Sequence, residues 1–326
     1  MRINQVLNFK QNKMSLTLNQ VNFEEVVKQN YDIVIAATGF ESRASFQIPK
    51  LKGTHSCKIA LSFANEANNN TRLQNDSIFL SHNFEIANDL TDFNYFENLM
   101  TSETKGFSEK SEIKVYVDYS SMSRNMYSQI LLAAKIVSLT KKVTVFFGYS
   151  HSIFAEIKKE ENLNRIVEPI FGFCKLSVPH KPTALIVCLG NEISRVYGLT
   201  DFFDATTYLF YSDTKFDNKF SAEVEIVNEE IIDATDPDKI FKFPVEDLIY
   251  TNQVLENLCR SLTAHYRVVL APCGPKPFAL LSLINALNLN NDIEVWRISP
   301  GEDLQVIDRK PNERVSVLKI EMGSAH

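Results

Sequence analysis

A chain of 326 residues is long enough for about two domains of average size, and it can bury a core without disulfides. With 44% hydrophobic and 23% charged residues, the composition is that of a folded globular protein and excludes collagen-like, disordered and disulfide-rich classes. The 40 acidic residues outnumber the 34 basic ones and give a formal net charge of -6, so no extended nucleic-acid surface is expected.

Hydrophobic segments and cysteines indicate where the protein resides. The longest apolar runs have about ten residues, whereas a membrane-spanning helix needs roughly 18. No apolar signal-peptide segment stands near the N-terminus. The five cysteines form no CxxC pair, and an odd number outside a secretory context indicates reduced thiols. We therefore expect a cytoplasmic protein with no membrane partner.

The first half of the chain predicts alternating strands and helices. After a short helix near residues 23–29, continuous apolar runs predict strands at 31–38, 58–63, 114–117 and 143–148. Apolar runs without alternation are typical of strands covered on both faces, as in a parallel sheet. Apolar residues at helical spacing in 122–139 predict a helix between the last two strands, which completes a βαβ unit.

The second half repeats this order of elements. Strands are predicted at 183–189, 208–211, 223–227, 267–271 and 293–298, with helices within 241–266 and at 278–287. This pattern predicts an α/β fold of two tandem Rossmann-like halves with mainly parallel sheets, related by internal duplication. A turn at Pro179–Pro182 sets the domains at 1–178 and 179–322, and residues 323–326 are interpreted as the remnant of an expression tag.

Two pairs of motifs support the duplication. The first strand of one half runs into Gly39–Arg43 and that of the other into Gly190–Arg195, and residues 39 and 190 lie 151 positions apart. An offset of 153 places Ser121 and Ser123 over Gly274 and Lys276. The alternative is chance, because strands of any two α/β domains often end in glycine.

A polar loop follows the strand at 114–117 and leads into the next helix. It contains Asp118, Ser120, Ser121, Ser123 and Arg124. The N–H groups at a helix N-terminus attract an anion, and the planar arginine fork suits phosphate or carboxylate, so this loop predicts a site for a phosphate-bearing ligand. The alternative is that Ser120 or Ser121 caps the helix while Arg124 is solvated.

The matching loop of the second half is the stiff turn Gly274-Pro-Lys276-Pro277. Gly274 permits close backbone approach and Pro277 favours the first helical turn, so Lys276 is expected at the helix mouth, facing an anion. The alternative is a solvated lysine. Since Arg124 and Lys276 follow matching strands, we expect the halves to build one shared site in which both face a common anion.

The Gly-x-Glu turns contribute a second group of charged residues. Glu41 and Glu192 could accept ribose hydroxyls or base amino groups while Arg43 and Arg195 meet phosphate. The alternative is that each pair forms a local ion pair that orders its turn. Neither turn is a GxGxxG or Walker motif, and the histidines are isolated without an HExxH motif. The sequence thus predicts neither a cofactor nor a metal.

This arrangement resembles the Rossmann-like CRISPR-associated nucleotide-sensing domains known as CARF, and their SAVED relatives. The resemblance implies that Gly39–Arg43 with Ser120–Arg124, and Gly190–Arg195 with Gly274–Lys276, face a cyclic nucleotide. The first half differs in having serines and an arginine where a Gly-rich turn with lysine is expected, and no effector domain is evident. The resemblance further implies a ligand sensor in prokaryotic antiviral defence whose effector is supplied by a protein partner.

Three classes of function remain open on the sequence. The first is binding or sensing of a phosphate-bearing small molecule, with a nucleotide as the expected ligand. The second is an enzyme that cleaves a nucleotide or phosphoester, using Asp118 or Glu41 as acid, base or metal ligand. The third is a non-catalytic scaffold.

Overall fold

The chain divides into two compact units, which we call unit 1 (Met1–Ile153 with Ile307–His326) and unit 2 (Phe154–Val306). The computed structural model describes residues 14–63, 69–88, 92–155, 165–174, 180–191, 196, 198–213, 218–289, 293–299 and 307–324.

Strands and helices alternate through both units. The strands of unit 1 that come first in the chain are β1 (Met14–Val21), β2 (Tyr31–Thr38), β3 (His55–Ser62), β4 (Glu85–Asn88), β5 (Glu112–Asp118) and β6 (Lys142–Ser152). Its helices are α1 (Phe23–Val26), α2 (Asn70–Ser81), α3 (Phe93–Met100) and α4 (Arg124–Val137).

Unit 2 repeats the alternation. Its strands are β7 (Ile166–Pro169), β8 (Thr183–Cys188), β9 (Ala205–Ser212), β10 (Ile240–Phe243), β11 (Arg267–Pro272) and β12 (Ile293–Ser299). Its helices are α5 (Leu199–Phe203), α6 (Asn218–Val227), α7 (Glu229–Asp233), α8 (Leu248–Thr263) and α9 (Lys276–Leu289). The chain then returns to unit 1 with β13 (Pro311–Ser324).

Both sheets have the same arrangement of parallel strands. The order is β1-β13-β6-β5-β2-β3-β4 in unit 1 and β10-β9-β8-β11-β12-β7 in unit 2. Strands β2 to β6 are parallel, as are β8 to β12. Numbered along the chain within each unit, the parallel strands lie in the order 3-2-1-4-5 of Rossmann folds. The predicted α/β fold is confirmed, while duplication of one ancestral half stays a prediction.

Burial explains why the continuous apolar runs form central strands. Every residue of β2 and of β8 is buried, because each strand has a neighbour on either side and lies within an α/β layer. Helix α9 is buried over nearly its whole length, which fits its apolar character on all faces. Each large apolar side chain buried in this way contributes about 1.5–3 kcal/mol.

One predicted strand is a helix. Residues 223–227 alternate charged and apolar side chains, a pattern typical of a strand, but they form the last turns of α6. Val224 is buried at 3% exposure while Ile226 is 59% exposed. One apolar face therefore packs at helical spacing, and the alternation over five residues is too short to distinguish the two periods.

Two boundaries also differ from the prediction. The short strand β7 pairs antiparallel with β12, so the chain from 154 to 178 belongs to unit 2 rather than to the first half. Strand β13 pairs with β6 and β1, which returns the chain from residue 307 onward to unit 1. Gly323 and Ser324, which the sequence assigns to a tag remnant, extend β13 by pairing with Ser15 and Met14.

No helix within the described part of the chain combines the length and the apolarity that crossing a bilayer requires.

Candidate functional site

The loops after β2 and β5 meet at the carboxyl edge of the unit 1 sheet. A Cβ placed on Gly39 would lie 3.9 Å from the Cβ of Ser121. Strands β2 and β5 are neighbours in the sheet, although they are the first and fourth parallel strands along the chain. The loops that follow them therefore flank the point where the strand order reverses. This topological switch point is where open α/β sheets bind ligands.

Arg43 is buried beneath this edge and is held by three protein groups. Its Nε donates to Glu41 Oε2 at 2.8 Å, and its Nη1 donates to the Tyr149 hydroxyl at 3.0 Å and the Ser150 carbonyl at 3.1 Å. Burial lowers the pKa of Arg43, but Tyr149 and Glu41 raise it by more, so the guanidinium stays charged. The local ion pair between Glu41 and Arg43, which the sequence offers as an alternative, is therefore present.

Glu41 connects three segments of unit 1. Besides Arg43, its carboxylate accepts a hydrogen bond from the Ser121 hydroxyl at 3.1 Å, and Oε1 lies 3.5 Å from Nε of Arg309. It thus joins the loop after β2, the loop after β5 and the segment that precedes β13.

Asp118 and Ser120 fix the exit of β5 against β6. Asp118 is 1% exposed and accepts from the Ser120 amide at 3.1 Å and the Ser120 hydroxyl at 2.5 Å. Ser120 Oγ in turn accepts from the Ser150 amide at 2.8 Å and from Gln47 Nε2 at 3.2 Å. These buried groups are linked to one another, as burial of polar groups requires.

The N-cap of α4 is neither Ser120 nor Ser121, the two serines that the sequence offers for this role. Ser123 is the N-cap, and its Oγ accepts from the Met126 amide at 3.2 Å. Ser120 and Ser121 are engaged by Asp118 and Glu41 instead. Arg124 is the first residue of α4, so a guanidinium and the helix N-terminus share one edge of the sheet.

A cluster of tyrosines lies beside these groups. The ring of Tyr119 is 5.5 Å from that of Tyr127 and 5.4 Å from that of Tyr149. Tyr119 and Tyr127 are fully buried, and their hydroxyls have no hydrogen-bond partner within the described residues. Burial raises the pKa of both phenols, an effect that Arg43 opposes at Tyr119 and Arg124 opposes at Tyr127. The cluster therefore places two buried phenol groups beside Arg43 and Arg124.

A hydrogen bond of the first half recurs in the second. Asn75 Nδ2, on α2, donates to the Gly39 carbonyl at 2.8 Å, and Asn228 Nδ2, just after α6, donates to the Gly190 carbonyl at 3.0 Å. The two asparagines lie 153 positions apart and both follow the second parallel strand of their unit. Gly39 and Gly190 therefore occupy matching places at the two switch points.

The switch point of unit 2 is packed backbone against backbone. A Cβ on Gly274 would lie 2.4 Å from the Leu189 carbonyl oxygen, and one on Gly190 would lie 2.9 Å from that of Cys273. Gly274 thus permits close approach of the Leu189 backbone, and its contact with a ligand stays a prediction. Lys276 begins α9 as Arg124 begins α4. Glu192 and Arg195 lie outside the described residues.

Distant segments contribute a part of the site that no local sequence pattern indicates. Asp308 accepts from the Ser42 amide at 2.6 Å and from the Ser42 hydroxyl at 2.7 Å, across 266 positions of sequence. Tyr149 and Gln47 lie within segments whose pattern indicates only a strand or a turn. No sequence signal isolates these residues, because their role comes from the pairing of β6 and β13 with the rest of the sheet.

His151, on β6 beside this network, makes stability depend on pH. Burial first, then Arg43 and Arg314, lowers the pKa of His151 to about 4, and one ring nitrogen lies 2.8 Å from Ser316 Oγ. The folded state favours the neutral ring, so its stabilisation is present above the ordinary pKa of about 6.5 and is lost as pH falls toward 4.

Between pH 6.5 and 4, we expect the free energy of unfolding of the wild type to fall by about 2–3 kcal/mol more than that of His151→Gln. Chemical denaturation of both proteins over this range measures the difference. Parallel pH profiles for the two proteins would show that His151 does not carry this dependence.

A cavity of about 340 Å³ opens at the other end of the unit 1 sheet, near the starts of β2, β3 and β5. Its lining includes Tyr31, Thr54 and the ion pair between Lys110 and Asp32. Within the described residues, no group of three or more His, Cys, Asp or Glu side chains could hold a metal ion.

Comparison with known proteins finds similarity in structure but not in sequence. No protein-family profile matches the chain, and no curated protein matches it in sequence. Among solved structures, the chain is similar to the cytoplasmic domain of a prokaryotic cation chloride cotransporter. The match has 10% sequence identity and a TM-score of 0.26, and covers 85% of this chain and 99% of that one. The α/β assignment therefore rests on the strand order of the two sheets.

Proposed function

We propose that unit 1 binds a phosphate-bearing small molecule, a nucleotide, at the switch point between β2 and β5, and that the protein acts as a ligand sensor. The observation that carries the proposal is the meeting of the two loops at this edge. The Ser121 hydroxyl bonds Glu41, and Arg124 stands at the start of α4. A guanidinium and a helix N-terminus together favour phosphate.

The residues have different roles in this proposal. Arg124 and the first turn of α4 contact the phosphate, and Ser121, whose hydroxyl donates to Glu41, lies beside them. Arg43 is a positioning residue, because its buried guanidinium holds Glu41 and the Tyr149 hydroxyl. Asp118 and Ser120 keep the loop after β5 against β6. In unit 2, Lys276 holds the place of Arg124 at the start of its helix and is proposed to meet an anion.

Burial and pairing favour a sensor over an enzyme. Asp118 is 1% exposed and bonded to Ser120, and Glu41 is paired with Arg43, so both carboxylates serve the structure of the loops. A general acid or base must come within hydrogen-bond reach of the reacting group. A cleaving enzyme and a pure scaffold therefore stand as outcomes of the test below.

The finer parts of the proposal come from the resemblance to CARF and SAVED domains. They are a cyclic nucleotide as ligand, a role in prokaryotic antiviral defence in the cytoplasm, and a protein partner that supplies the effector. One site shared by Arg124 and Lys276 stays a prediction.

A nucleotide panel with one matched variant tests the proposed function. Wild type, Arg124→Ala and Arg260→Ala are melted with linear and cyclic nucleotides and assayed for products; Arg260 is an exposed helical arginine paired with Glu256. We expect a ligand-dependent rise in Tm without turnover, retained by Arg260→Ala. Arg124→Ala should bind about 1.5–3 kcal/mol more weakly, the range for a hydrogen bond to a charged group.

Each other outcome contradicts part of the proposal. Product formation would make the protein an enzyme. If no nucleotide stabilises the protein, a non-catalytic scaffold is the remaining class of function. If Arg124→Ala and Arg260→Ala lose the same affinity, the assignment of the phosphate site to the start of α4 is wrong.

A further inference from the structure

We propose that Arg309 is a phosphate-binding residue of the unit 1 site, exchanging Glu41 for the ligand when the ligand binds. The inference rests on the proposed function and adds a residue that the loops after β2 and β5 do not contain. Arg309 belongs to the segment 307–310, which brings the chain back to unit 1 before β13.

The segment 307–310 is fixed over the turn that holds Glu41. The Arg43 amide donates to the Arg309 carbonyl at 3.1 Å, and the Ile153 amide donates to the Lys310 carbonyl at 2.9 Å. Asp308 accepts two hydrogen bonds from Ser42. The backbone of Arg309 is therefore held in place at the carboxyl edge while its side chain reaches the carboxylate of Glu41.

The two arginines on Glu41 differ in how tightly they are held. The side chain of Arg43 is 3% exposed and lies 2.8 Å from Glu41, whereas that of Arg309 is 30% exposed and lies 3.5 Å away. The longer, partly exposed pair contributes less to stability than the buried pair with Arg43, because water and salt reach it and screen it. Breaking the contact between Arg309 and Glu41 therefore costs less free energy than breaking the contact between Arg43 and Glu41.

Glu41 does not lose its compensation when Arg309 leaves. It keeps the bond from Arg43 Nε and the bond from the Ser121 hydroxyl. A phosphate near Arg124 offers the Arg309 guanidinium two oxygens, and a bidentate contact of this kind is stronger than the single long contact with Glu41. The exchange thus places one further positive charge at the site where the ligand is anionic.

Inorganic phosphate is the probe for this inference, with sodium chloride at matched ionic strength as the reference. Four proteins are compared by thermal shift: wild type, Arg309→Ala, Arg124→Ala and Arg297→Ala. Arg297 is the matched control, because its side chain is 32% exposed and lies 3.4 Å from Glu168 in unit 2. Circular dichroism establishes that each variant is folded.

We expect phosphate to stabilise the wild type and Arg297→Ala alike, and Arg309→Ala to bind it roughly tenfold more weakly. Unchanged affinity in Arg309→Ala, with a loss in Arg124→Ala, would overturn the role of Arg309 and leave the proposed function intact. No effect of phosphate or of any nucleotide on the wild type would overturn both. If Arg309→Ala is unfolded, Arg309→Lys replaces it; this variant keeps the charge without the fork and should also bind more weakly, and wild-type affinity in it would overturn the inference.

Discussion

Replacing Arg43 by alanine is expected to destabilise the protein by about 3–5 kcal/mol, because the change leaves a carboxylate and a tyrosine hydroxyl without their buried partner. Arg43 is 2% exposed, and its guanidinium donates to Glu41, Tyr149 and the Ser150 carbonyl. Urea denaturation followed by circular dichroism measures the change in free energy of unfolding.

The control for Arg43→Ala is Arg260→Ala. Arg260 also forms two hydrogen bonds to a glutamate, at 3.0 and 2.6 Å, but its side chain is 58% exposed. An exposed pair of this kind is worth about 0.3–0.5 kcal/mol. Equal losses in the two variants would show that the Arg43 network is not the buried, tightly coupled centre of the unit 1 edge.

Replacing Gly274 by alanine is expected to destabilise unit 2 by about 3 kcal/mol, since the new methyl group overlaps atoms that cannot move aside. Its Cβ would lie 2.4 Å from the Leu189 carbonyl oxygen, which is backbone, and 2.6 Å from Cys188 Sγ. Trp296, the single tryptophan, lies on β12 of unit 2, so its fluorescence follows the unfolding of this unit in urea.

Gly39→Ala is the counterpart in unit 1. Gly39 occupies the place that Gly190 holds in unit 2, but the nearest atom to its added Cβ is 3.6 Å away, an ordinary contact. We expect a change within about 0.5 kcal/mol, as for substitutions without a named structural cost. A large loss in Gly39→Ala, or none in Gly274→Ala, would contradict the difference in packing between the two switch points.

The fold could be predicted wherever burial alone decided the pattern. Strand β2 covers the predicted residues 31–38, because a strand buried on both faces is apolar at nearly every position. The strand predicted at residues 223–227 is wrong, because an alternation over only five residues fits a short strand and the helix α6 equally well. The antiparallel strands β1, β7 and β13 were missed, because edge pairing depends on which distant strand lies beside them.

The candidate site divides in the same way. Glu41 with Arg43, and Ser120 to Arg124, could be found because they follow continuous apolar strands directly. The contacts that fix them come from Tyr149, Asp308 and Arg309, more than 100 positions from Arg43. Such contacts follow from the register of β6 with β13, which no local pattern determines.

A crystal structure of the protein with the nucleotide that gives the largest rise in Tm tests the central claim most directly. We expect a phosphate oxygen within about 3 Å of Arg124 and of the first-turn amides of α4, with Ser121 beside it. A nucleotide bound elsewhere, such as in the cavity near Lys110 and Asp32, with no phosphate contact to Arg124, would contradict the account.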